Sequence, residues 1–269
     1  MIHLGYAYEM DNKEIAIEAL ALTSVQYDFL HKYTDDASYT RPSPFRSGRP
    51  LELLSRMASD ARLQKLFKAP GFENLAPLFE KHEDLVLEYW NAWDLGTEPA
   101  ARFRESQEAA AALLVATVPP GTHAYNFYVV HLLTTSHAVR VLLAFVPARF
   151  HVGLVRQWWL LTVAVYAACL CPAIDPDYIR PGEVAGKAWD YVEDRALNGP
   201  YATDAHYVKG MEPHAPYLSV IVYWTESSRH FLFPALRVLR DASRTWGDAH
   251  ERYLAAAVRF ADDFRGWVH

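Results

Sequence analysis

Cysteine is nearly absent from this chain: two residues in 269, Cys169 and Cys171. Two positions apart on a helix, they point to different sides and make a poor disulfide pair. Inside an apolar run they read as buried thiols, and the pattern suits a reducing cytoplasm. A basic excess is missing as well. Acidic residues outnumber Lys and Arg by 32 to 26, with no clustered basic face, so nothing points to nucleic acid as a partner. Long apolar runs are also lacking. The most apolar one, residues 158–171, spans 14 residues, well short of the roughly 20 that a bilayer requires. Glu9, Asp11 and Glu14 break up the start of the chain, so no signal peptide is read there. No membrane role is expected. Alternating strand patterns, internal repeats and low-complexity tracts are not found, and neither is a Gly-x-Gly-x-x-Gly dinucleotide fingerprint.

What remains is helical periodicity cut by proline and glycine. Residues 2–33 read as a helix or helix pair with Ile15, Ala19, Leu22 and Leu30 on an apolar side, followed by a proline-containing loop over 34–50. Helices are expected over 51–67, about 73–93 and about 98–117, and then Pro119-Pro120-Gly121 makes the sharpest break. The stretch 125–146, YNFYVVHLLTTSHAVRVLLAFV, is apolar on nearly every side and reads as a helix buried all round. Another helix is expected over 151–170, a loop over 171–181, and a helix from Pro181 to about Leu197. Thr203 or Asp204 could cap a short helix over 205–211, and the chain finishes with helical patterns over about 218–240 and 247–267. The expected fold is all-α, a single domain of roughly ten helices packed around the buried central helix at about 124–146.

That central helix carries His131, His137 and Arg140. A buried imidazole needs a partner, since leaving a polar group unpaired away from water costs roughly 2–7 kcal/mol. His3 lies at the start of the first helix, and His206 and Lys209, three apart in DAHYVKG, share one helical face. Imidazole nitrogens from separate helices could converge on a metal in an all-α core. The plainer reading is that a lone histidine is structural or on the surface, and His-x-x-Lys is common by chance. His31, His82, His151, His250 and His269 have charged or terminal neighbours and read as surface, while His123, His214 and His230 stay open. His137 is six residues from His131, about 240° around the helix, so the two do not face one site unless the helix distorts.

The wording of four segments, IHLGYAYEMDNKEIAIEALAL, YNFYVVHLLTTSHAVRVLLAFVP, RQWWLLTVAVYAACLCP and DAHYVKG, resembles the questin oxidase-like family, in order and over nearly the whole chain. The His-Leu-Leu-Thr-x-Ser-His stretch is the most specific part. The resemblance implies an oxygenase that opens the central ring of anthraquinone-like aromatic polyketides by a Baeyer–Villiger-type oxygen insertion. It implies non-haem Fe(II) acting with O2, held by His3, His131, His206 and Lys209, with Lys209 as a CO2-derived carbamate and catalytic residue. NADPH is the reductant that the resemblance brings with it. Lysine reacts with CO2 as the neutral amine, which burial favours. Asp204, Glu9 or Tyr6 could orient ligands. Tyr125, Phe127, Trp158, Trp159 and Trp189 could line a slot for a flat polycycle, although core packing is the commoner role for most of them.

Relative to the family, the His-Leu-Gly motif stands at the very beginning, without the histidine-bearing segment expected before it. His137, His214, His230, a water or another chain could then complete the shell. An exposed apolar patch around residues 3–8 is expected, suited to a homodimer or a partner subunit. Two rivals stand beside the oxygenase. One is a metal-free helical binding or assembly subunit derived from the family. The other is a metal hydrolase, less favoured because hydrolytic zinc typically keeps three protein ligands and a water.

Overall fold

The computed structural model describes residues 1–25, 27–119, 121–178, 184–198 and 232–268. It is helical, as the periodicity predicts. Among the described residues the α-helices are α1 (Ile2–Glu9), α2 (Lys13–Val25), α3 (His31–Asp35), α4 (Pro50–Ser59), α5 (Leu75–Ala92) and α6 (Pro99–Ala116). They continue with α7 (Phe127–Leu143), α8 (His151–Ala168), α9 (Trp189–Asn198), α10 (Leu232–Trp246) and α11 (Arg252–Asp263). Two three-residue strands, β1 (Ala124–Asn126) and β2 (Gly266–Val268), pair in parallel, with Tyr125 opposite Trp267. The chain divides into two compact units, one of residues 1–110 and 131–174, the other of 111–130 and 175–268.

In the first unit α1 and α2 form a hairpin. Asp11 takes a left-handed φ of 48°, and the Asn12 side chain accepts the Ile15 N–H at 2.9 Å, capping α2. α5 and α8 run antiparallel, tied by indole donors: Trp159 Nε1 to Tyr89 O at 3.1 Å and Trp90 Nε1 to Arg156 O at 2.9 Å. Trp158 Nε1 reaches the Leu132 carbonyl of α7 at 3.1 Å. The last carbonyl of α8, Ala168 O, has no partner within its own helix. It accepts from Gly71 N at 3.2 Å and Asn74 Nδ2 at 3.0 Å instead.

α4 stops at Ser59 instead of continuing to residue 67. The Asp60 carboxylate takes Arg62 N at 2.9 Å, a local bond that competes with the helix. Cys169 and Cys171 are free and buried, as expected. On α2, Ile17 and Leu20 are each 57% accessible, whereas Gly5, Tyr6 and Ala7 of α1 are buried and Tyr8 is exposed.

In the second unit β1 ends on Asn126, whose side chain accepts the N–H groups of Tyr128 and Val129 at 2.9 and 3.1 Å. This cap makes the central helix begin at Phe127, with 124–126 drawn into strand pairing. Tyr125 is fully buried edge-on against Phe260, with ring centroids 4.8 Å apart. Asp262 of α11 gathers Lys187 Nζ at 2.8 Å, Tyr191 OH at 2.6 Å and Arg195 Nε at 3.1 Å, fastening α9 to α11. Asp248 caps α11 through Tyr253 N and Leu254 N, both at 2.9 Å.

Candidate functional site

The α7 sequence carries Thr134, Thr135, Ser136 and His137 in succession, and all four are buried. Ser136 Oγ returns its hydroxyl to Leu133 O at 2.6 Å, which lets a polar side chain sit in an apolar interior. Residues seven apart on a helix stand nearly one above the other. His131, Ala138 and Phe145 therefore mark one stripe along α7 and the turn just after it.

α1 lies on that stripe. A Cβ added at Gly5 would stand 2.5 Å from both Cα and Cβ of Ala138, so only glycine permits this backbone approach. Further along α1, the rings of Tyr8 and Phe145 meet at 4.7 Å between centroids. Followed the other way, the first turn of α1, with His3, heads toward the His131 end of the stripe. His3 and His131 are both partly buried. Burial holds the His3 pKa below the usual histidine range; the Glu18 carboxylate of α2 works against that, and the terminal ammonium adds to it. The neutral imidazole is the form with a nitrogen lone pair for a metal. Both residues offer imidazole nitrogen, the donor type that a mixed metal shell would take. His206 and Lys209, with Asp204, His214 and His230, lie outside the described residues.

His137 is turned to other work. It is 1% accessible; its Nε2 stands 3.0 Å from Glu9 Oε2 and its Nδ1 3.1 Å from Arg140 Nη2. A guanidinium can only donate, so Nδ1 accepts and Nε2–H donates to the carboxylate. The Tyr6 ring lies 5.9 Å away, centroid to centroid. Both ring nitrogens have protein partners. In the sequence Glu9 reads as a residue that could orient a ligand and His137 as a possible ligand, but not as partners of each other. The signal was a histidine and an arginine in an apolar run together with an acid in the first helix, but nothing local linked positions 128 apart.

Of the aromatics considered for a ligand slot, Tyr125, Trp158 and Trp159 are sealed core residues, while Phe127 and Trp189 are partly accessible. His123 Nδ1 pairs with Asp263 Oδ1 at 2.5 Å beside the β1–β2 ladder. Among the described residues no helix is long and apolar enough to cross a membrane. A family model described as questin oxidase-like matches residues 1–211. No curated protein matches the chain.

Proposed function

The chain belongs to the questin oxidase-like family, and from that premise we propose that it is an oxygenase of aromatic polyketides, dependent on non-haem Fe(II). The substrate we assign is an anthraquinone-like compound whose central ring is opened by a Baeyer–Villiger-type oxygen insertion. One observation carries the reading: the matched span contains all four candidate ligands, His3, His131, His206 and Lys209. The glycine-permitted seating of α1 on the His131 stripe of α7 supports it.

In this reading His3, His131 and His206 offer imidazole nitrogen, and Lys209 offers an anionic carbamate oxygen formed by CO2 adding to its neutral amine. The bound metal supplies the O2-activating chemistry that side chains lack. Inserting one oxygen atom and reducing the other to water needs two electrons, for which NADPH is the proposed donor. The chain's own contribution is to bury the His3 imidazole, which favours its neutral form, and to seat its helix by the packing of α1 on α7.

Iron analysis of protein purified without air is the test. Stoichiometric iron in wild type and its loss in His131→Ala, with helicity unchanged, are expected. No iron in wild type, or full retention in the variant, removes the reading. A second reading, a metal-free binding or assembly subunit, is favoured by the exposed apolar side chains of α2, and the same analysis separates the two.

A further inference from the structure

α1 is short, eight residues, and meets α7 at two kinds of contact. At Gly5 it touches Ala138 backbone to backbone, a contact that fixes distance but not angle. At its carboxyl end Glu9 meets the Nε2–H of His137, while Arg140 occupies the other ring nitrogen from one turn further along α7. This chain of three polar groups is directional, and His137 is closed off from water. Breaking it leaves a buried imidazole donor without its acceptor, a loss that a packing contact does not impose.

We propose that Glu9, His137 and Arg140 form a positioning clasp that sets the angle of α1 on α7 and thereby the place of His3 relative to His131. This rests on the metal-site reading above. The clasp would act by leverage. With about 1.5 Å of rise per residue, Glu9 stands about 6 Å beyond the Gly5 pivot and His3 about 3 Å before it. A swing that carries the Glu9 end about 1 Å moves His3 about 0.5 Å the opposite way. Metal–ligand distances tolerate only about 0.2 Å, so a small release at one end of α1 is a large error at the other. Neither Glu9 nor His137 need touch the metal for this to act.

The test is Co(II) titration of the full chain, read by ligand-field absorption, with far-UV circular dichroism as the check on folding. Glu9→Ala is expected to weaken Co(II) binding by roughly 10–100-fold, the range for removal of groups that hold ligands in place, and to alter the band positions. Glu9→Gln, whose amide oxygen still accepts from Nε2–H, is expected to bind with near wild-type affinity and spectrum. Should Glu9→Ala not fold, Glu9→Asp, one methylene shorter with the charge kept, carries the same comparison through its band positions. Wild-type affinity and spectrum in the folded Glu9→Ala protein, or in Glu9→Asp where that variant is needed, overturn the clasp while leaving the metal site standing. Wild-type protein that takes up no cobalt overturns the metal reading and the clasp together.

Discussion

Replacing Gly5 by alanine sets helix propensity against packing, and the structure decides which prevails. Alanine in a helix is worth up to about 1 kcal/mol over glycine, so propensity alone makes Gly5→Ala stabilising. The new methyl carbon, however, falls 2.5 Å from Cα and Cβ of Ala138 and 3.1 Å from its carbonyl oxygen. Carbon atoms rest at about 3.5–4.0 Å, so the helices must part by about 1 Å. Overpacking of this sort costs about 1–3 kcal/mol. The expected net effect is a loss of about 0–2 kcal/mol.

The protein supplies its own control. Gly153, near the start of α8, has nothing within 4 Å of its added Cβ, and Gly153→Ala should stabilise by about 0.5–1 kcal/mol. Urea unfolding of both variants, followed by far-UV circular dichroism, should therefore move them in opposite directions. Equal stabilisation would refute the close approach of α1 to α7, and with it the seating of His3. Ala138→Gly in the Gly5→Ala background should recover little, because Cα and the carbonyl oxygen of residue 138 still stand 2.5 and 3.1 Å from the added methyl.

Two further outcomes follow from burial and pairing. Asp60 is held down to about 2, chiefly by Arg62 with help from the Tyr89 hydroxyl and against the effect of burial. Its folded value lies below the ordinary aspartate value of about 3.9, so its contribution is present above that value and disappears as pH falls toward 2. The stability gap between wild type and Asp60→Asn should accordingly narrow between pH 5 and pH 2 in urea titrations, each limit being about a unit wide; a constant gap would contradict the pairing. For Cys171, burial pushes the thiol up to about 12, with Cys169 adding to the rise. A disulfide-exchange reagent at neutral pH should leave the folded protein unmodified and label both cysteines once it is unfolded. Fast labelling of the folded chain would show that the end of α8 is open.

Helical class, most helix positions and the buried thiols were all written in the sequence, because periodicity, proline and glycine act over a few residues. α5, α6 and α8 follow that local rule to within a residue or two of expectation. The ends of α4 and α7 do not. One is set by Asp60 folding back on Arg62, the other by Asn126 capping a helix whose preceding residues pair with a strand some 140 positions later. The candidate ligands were legible as residue types, and the tertiary fold alone could show what pairs with His137. His131 and His137 are alike in sequence, both imidazoles in one apolar helix. Only the packing of α1 on α7 adds the Glu9 carboxylate to the Arg140 guanidinium that His137 meets on its own helix, and sets His131 on the stripe toward which His3 runs. A hydrogen bond between positions 128 apart has no local signature, because the chain between them does not determine the angle at which two helices cross.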